Sequence, residues 1–170
     1  MDFCALAIKK ATKLGVDEAE VYFLKKNITK VEFASTIESF KTVASLGLGV
    51  RVAQGKKIGL HATSILTEAE VTKAVEKAVK IAKVTPEDPN WHEFNKNFGK
   101  TSVKGNYDKT LGNLDYDSII DKVIGGINKA SENERKVKVT RGSLTLNKGE
   151  ISVANSYNDT MTYNGTYITT

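Results

Sequence analysis

The chain offers few groups able to attack a carbonyl, hold a metal or move a proton near neutral pH. They are His61, His92, Cys4 and the acidic run Asp17, Glu18 and Glu20. Hydrolytic zinc needs about three converging ligands and a general base, and neither histidine belongs to a His-Glu-x-x-His stretch or a longer variant. A complete zinc centre is therefore not expected. Lone histidines are more often structural or surface residues than ligands, and His61 is expected partly exposed, opposite Ile58 and Leu60 on a strand. Cys4 lies early in an amphipathic helix, where a thiol pKa can fall. Without a histidine partner it reads as a small core or surface residue. The acidic run fits a helix-to-strand turn, a commoner use of carboxylates than acid–base chemistry. Gly47-Leu48-Gly49 opens like a nucleotide loop, but Val52 stands where the third glycine is needed. Gly55-Lys56 is followed by Lys57 instead of the Ser or Thr of a phosphate loop. No catalytic, metal-binding or cofactor-binding residue is assigned.

Whatever these residues do, something must position them. A chain of 170 residues with 40% hydrophobic and 26% charged residues has an ordinary globular balance. It is long enough to bury about 70% of its unfolded surface. No apolar run approaches the roughly 18 residues of a membrane span, and the N-terminus has its charge after the apolar stretch, the reverse of a secretory signal. The expected location is the cytoplasm. A single cysteine excludes an intramolecular disulfide. The net charge of +5 would favour an acidic partner or nucleic acid. Only three arginines are present, however, and the lysines are scattered among glutamates with no aromatic interleaving. An ordinary solvated surface is the better reading.

Asp2 is placed to cap a first helix carrying Phe3, Leu6, Ala7, Ala11 and Leu14, which Gly15 stops. The period then falls to two. Val21 and Phe23, Val31 and Phe33, Leu48 with Val50 and Val52, and Ile58 with Leu60 and Ala62 each line one face of a strand. A further strand is expected from Ile37 to Ala44, and a hairpin turn at Gln54-Gly55-Lys56. Thr67 and Glu70 have capping-box spacing, and Leu66 with Val71 that of a hydrophobic staple. They open a helix whose stripe is Val71, Ala74, Val75, Ala78 and Ala82, ended at Thr85-Pro86. Residues 86–112 read as a long loop pinned by Trp91. Leu114, Asp115 and Ile119 start a third helix with Ile120, Val123, Ile124 and Ile127 inside, and Gly125-Gly126 there suggests close packing. Val137 and Val139, Leu144 and Leu146, and Ile151 and Val153 suggest strands. Turns are expected at Lys148-Gly149 and Asn158-Asp159, and a bulge near Gly142. The fold class is α+β, a mostly antiparallel sheet with about three helices on one face, in a single domain over residues 1–170. The final strand-like pattern through Tyr163 and Tyr167 to Thr170 suggests a polypeptide cut short.

Several stretches resemble the N-terminal domain of the TldD/PmbA family. They are Leu14-Gly15-Val16-Asp17-Glu18-Ala19-Glu20-Val21, then Gly47-Leu48-Gly49-Val50-Arg51-Val52, then Leu66-Thr67-Glu68 opening a Val/Ala-rich helix. Thr85-Pro86-Glu87-Asp88-Pro89 and Val153-Ala154-Asn155-Ser156 complete the series. Family proteins are longer, so the resemblance covers only the front part of one. It implies a cytosolic family tied to peptide and protein proteolysis, including maturation of a peptide antibiotic and turnover of an antitoxin, and once labelled modulators of DNA gyrase. A TldD-type subunit carries a zinc-binding His-Glu-x-x-x-His motif, and its PmbA-type (TldE) partner lacks working ligands. That motif lies downstream of the matched segment, so zinc would belong to the full-length protein or its partner.

The resemblance thus implies a non-catalytic domain that frames a peptide-binding cavity and a subunit interface. Its partners would be the C-terminal domain of the same protein, a TldD/PmbA-type subunit in a homo- or hetero-oligomer, and a peptide or unfolded-protein substrate. Candidate interface or peptide-contacting residues are Arg51, His61, Asn155, Ser156, Tyr163 and Tyr167. The rival reading is a free-standing module that binds an acidic protein or nucleic acid.

Overall fold

A computed structural model describes residues 1–99, 103–132 and 137–170. Helix α1 (Phe3–Lys13) is followed by strands β1 (Glu18–Phe33), β2 (Ile37–Gln54) and β3 (Lys57–Thr63). Then come helices α2 (Glu68–Val84), α3 (Lys109–Asn113) and α4 (Tyr116–Glu132), and strands β4 (Gly142–Asn155) and β5 (Asn158–Thr169). The five strands form one sheet in the order β3-β2-β1-β4-β5. Short turns make β1–β2, β2–β3 and β4–β5 antiparallel, and the first residues of β1 bond to the turn that ends β4. The α+β class is as expected.

The chain divides into two compact units. The first holds residues 1–25, 46–102 and 150–163, and the second holds 26–45, 103–149 and 164–170. Strands β1, β2, β4 and β5 each contribute to both. The separate short runs expected along β1 and β2 are therefore continuous strands of 16 and 18 residues.

In the first unit, the Asp2 carboxylate caps α1 by accepting from Ala5 N–H at 3.0 Å. Burial raises the pKa of this carboxyl, but hydrogen bonds, chiefly from Ala5 N–H, together with the N-terminal charge outweigh it and hold it below its ordinary value. Thr67 caps α2 by accepting from Glu70 N–H at 3.3 Å. The Glu70 carboxylate pairs with Lys73 at 2.6 Å. The stripe Val71, Ala74, Val75, Ala78 and Ala82 is buried, joined by Val79. It packs with Cys4, Ala7 and Ala11 of α1 and with Ala19, Val21, Leu48, Val50 and Val52 of the sheet. A Cβ at Gly59 would collide with the backbone of Ala78 and Ala82, so this glycine lets α2 lie against β3. The face shared by Ile58, Leu60 and Ala62 is therefore the outer one. Leu60 is 60% exposed, because the α2 side of β3 belongs to Gly59. The Gly55–Lys56 turn is as expected, with Gly55 at φ +58° and Gln54 paired to Lys57.

In the second unit, Asp115 accepts from Ser118 N–H at 2.7 Å at the start of α4. Ile119, Val123 and Ile127 pack on Val31, Leu144 and Leu146. Ile124, expected inside, is 43% exposed, since it sits about 100° round the helix from Val123. Nothing approaches a Cβ built at Gly125 or Gly126 within 4 Å, so close packing is not their role. Lys148-Gly149 is not a turn. β4 runs through it, flanked by β1 and β5, and the Lys148 amine donates to Leu114 O at 2.7 Å. The true turn is Ser156–Tyr157, two residues before the expected Asn158-Asp159. Val137 and Val139 form no strand, although Val139 packs on the core. Gly142 starts β4, and the Phe33 ring occupies the space where its Cβ would stand. The expected loop 86–112 gives way to α3 at Lys109, which Asp108 caps.

Candidate functional site

The most heavily bonded polar groups of the first unit gather where β1, β2 and the β4–β5 turn meet the loop after α2. All three carboxylates of the acidic run are engaged there. Asp17 accepts from Gly55 N–H at 2.6 Å, Glu18 accepts from Phe94 N–H at 2.6 Å, and Glu20 pairs with Arg51 at 2.7 Å. They organise turns and loop and leave no free acid–base pair. The Arg51 guanidinium lies 4.7 Å from the Phe94 ring centre and 6.0 Å from that of Trp91, and the two rings meet edge to face at 4.8 Å. Phe94 is 2% exposed and, with Trp91, pins the loop as expected of Trp91 alone. The loop start is tied as well, since Asp88 N–H donates to Lys56 O and the Lys56 amine donates to Pro89 O.

Asn155 is buried, and both ends of its amide are hydrogen-bonded. Nδ2 donates to Asn95 O at 2.7 Å, while Oδ1 accepts from the N–H groups of Tyr157 at 3.0 Å and Asn158 at 2.9 Å. Ser156 Oγ accepts from Ala19 N–H at 2.7 Å and closes the β4–β5 turn on β1. Both residues therefore hold structure. Burial and the Glu18 charge push the Tyr157 phenol upward, and the Lys96 amine lies 5.3 Å from its ring. His61 is half-buried on β3 opposite Val50, and His92 is exposed in the loop. Tyr163 and Tyr167 are exposed on β5, one in each unit. Of the sequence candidates, the structure brings together Asn155 and Ser156 at one turn, sets Arg51 among the loop aromatics, and leaves His61 apart on β3.

Hollows open among the described residues of this unit. One, of about 280 Å³, is lined by Asp2, Cys4, Glu150, Ser152, Thr160 and Thr162. Burial, reinforced by the charges of Asp2 and Glu150, pushes the Cys4 thiol up to about 12, which makes it an inert nucleophile. A second, of about 350 Å³, follows Lys9 and the β4–β5 turn. The third, about 450 Å³, is an apolar groove on the outer face of the sheet, bordered by Tyr22, Leu24, Ala62, Thr63 and Ser64 and floored by Gly47 and Gly49. As a nucleotide loop the two glycines fail, since Val52 stands at the third glycine position. Their i, i+2 spacing on a strand was the signal for a bare floor. Among the described residues no group of three or more His, Cys, Asp or Glu could hold a metal ion. The described residues do not fit a zinc centre, and no helix among them is long and apolar enough to cross a membrane.

Residues 19–82 match the family model for PmbA/TldA metallopeptidase domain 1. No curated protein sequence matches significantly. In fold, the chain is similar to the crystal structure of TldE from Thermococcus kodakarensis, with a TM-score of 0.80 and 22% identity over 98% of this chain and 37% of that one. It is also similar to a proposed modulator of DNA gyrase from Thermotoga maritima, with a TM-score of 0.73 and 18% identity over 98% and 37%. A third such structure, from Bacteroides thetaiotaomicron, has a TM-score of 0.75 and 15% identity over 98% and 38%. The chain thus spans a little over a third of the length of these relatives. The resemblance read from five short sequence stretches holds: residues 19–82 match the first-domain model of that family, and the chain shares the fold of these solved structures.

Proposed function

We propose that this domain is a non-catalytic part of a TldD/PmbA-like peptidase assembly, framing the cavity that receives a peptide and contributing to a subunit interface. Peptide hydrolysis, carried out on zinc, would belong to polypeptide outside these residues or to a partner subunit. The observation that carries the reading is a pairing. The fold covers 98% of this chain and 37% of the solved relatives, and the described residues hold no group of three or more His, Cys, Asp or Glu that could bind a metal. The site residues then have frame-building roles, with Asn155, Ser156, Glu18 and Arg51 fixing the loop and turn that border the outer face of the sheet. Incubating the purified chain with unfolded peptides, with and without added zinc, tests this. The expected result is no cleavage under either condition. Chelator-sensitive cleavage that survives repurification would contradict the proposal.

The rival, a module for acidic proteins or nucleic acid, draws on Lys73, Lys77, Lys80 and Lys83 along α2. Lys73 is paired with Glu70, and Glu76 of the same helix holds Lys10 of α1, so that face is of mixed charge. A steep fall of oligonucleotide binding with salt would favour the rival.

A further inference from the structure

The hollow of about 280 Å³ at the start of α1 has polar groups whose bonding is incomplete. Strand β4 lends it Glu150 and Ser152, and β5 lends it Thr160 and Thr162. Each pair is spaced i, i+2 and so lies on one face. Ser152, 5% exposed, shares a hydrogen bond of 2.8 Å with Thr162. Two hydroxyls carry two protons and one bond uses one of them, so the pair keeps a donor and lone pairs for another group. Thr160 Oγ1 is buried and completes no hydrogen bond, although it stands beside the Asp2 carboxylate. A buried hydroxyl left in that state is costly.

The two carboxylates differ. Asp2 is answered by Ala5 N–H at the start of α1 and by the Met1 amine. Glu150 is half-buried, and among the described residues its carboxylate has no ion pair and no hydrogen bond. Both charges reach the Cys4 thiol, which places them round the same space. An anion would be repelled there. A hard metal ion takes about six oxygen ligands, and the described residues offer no metal-binding group of three. Two phenyl rings, Phe3 and Phe23, occupy the positions where such an ion would need oxygen. An alkylammonium uses both kinds of lining. Its head has three donors for the carboxylate and hydroxyls and is attracted by aromatic faces, while its methylene stem packs on the rings. The volume lies just under the roughly 300–1,000 Å³ of drug-sized sites, the scale of one short side chain.

We propose that this hollow binds a primary alkylammonium group, its donors shared among Glu150, Ser152, Thr160 and Thr162 and its stem laid against Phe3 and Phe23. Isothermal titration calorimetry of the purified chain near neutral pH tests this, with pentylammonium as the probe and pentanol, calcium and magnesium as controls. The wild type should bind pentylammonium and none of the controls comparably. Glu150→Gln keeps the shape and removes the charge, and should weaken binding about tenfold or more. Thr160→Val should weaken it by a smaller factor, with an unchanged circular dichroism spectrum. Should Glu150→Gln not fold, Thr160→Val decides in its place. No binding of pentylammonium, which would mean a hollow filled by water alone, overturns the assignment. So does equal binding of pentanol, tighter binding of either metal ion, or full affinity in folded Glu150→Gln. Nα-acetyl-lysine methylamide distinguishes the source of the group. Tighter binding than pentylammonium identifies a lysine side chain of a polypeptide, and weaker binding a free amine; the assignment stands in either case.

Discussion

The two units solve the same problem, helices laid on strands, with side chains of different size. The first unit packs α1 and α2 through Ala7, Ala11, Ala74, Ala78 and Ala82, with a glycine under α2 and most core residues at zero exposure. The second relies on Ile119, Val123, Ile127, Leu144 and Leu146, several of them slightly exposed, and has no close approach at the glycines of α4. Small residues allow close contact between backbones and leave no room for growth. Larger ones leave slack that a substitution can use. The first unit should therefore be intolerant of added volume, and the second intolerant mainly of lost volume.

That contrast is easiest to break at Gly59. Gly59→Val should destabilise by about 3 kcal/mol or more, because the new atoms meet helix backbone that cannot rotate away. A neutral result in urea denaturation would mean that α2 does not lie where it is described. Next in size is Ile119→Ala, expected to cost about 2–4 kcal/mol through lost burial and a residual cavity. Val75→Ala in the first unit removes less and should cost on the order of 1–2 kcal/mol. The reverse order would invert the comparison.

The caps provide a matched pair. Thr67→Ala and Asp115→Ala each remove one side-chain acceptor from a helix start and should each cost about 1 kcal/mol. A large difference between them would show that one helix is held by packing alone. Gly126→Ala should have the opposite sign, raising stability by up to about 1 kcal/mol, since the helix gains propensity and nothing stands in the way. A loss would mean that something does approach this glycine.

The smallest expected effect near neutral pH concerns Cys4. Its thiol is raised from an ordinary value of 9.0 to about 12 in the folded chain. Between those values the unfolded state releases the proton first, so stability contributed by the neutral thiol is complete below about pH 9 and declines as pH rises toward 12. Thiol labelling at pH 8 should be slow until denaturant is added. Rapid labelling of the native chain would show that the α1 interface is open.

Much of this was legible in the sequence because local signals and tertiary packing agreed. Asp2, Thr67 and Asp115 cap their helices as read, and Gly55 turns the β2–β3 hairpin. Two of the misreadings share one cause, tertiary context overriding a local preference. Lys148-Gly149 has turn composition but lies in a strand paired on both sides. The Ile58, Leu60 and Ala62 face looked like a core face, yet the helix chose the bare side at Gly59. The loop network was only half visible. Trp91 announced it, but Glu18 bonding to Phe94 N–H and Asn155 reaching Asn95 O join residues 76 and 60 positions apart. No periodicity encodes such pairs. The groove was hidden for a different reason, because its main feature is the absence of side chains at Gly47 and Gly49.

The central claim is that this domain helps to frame a peptide-binding cavity and does not itself cut peptide. Hydrogen exchange read by mass spectrometry, with an unfolded peptide present and zinc added, tests both halves in one sample. The account predicts an intact peptide and slowed exchange within the first unit. A cleaved peptide, or protection confined to the second unit, would contradict it.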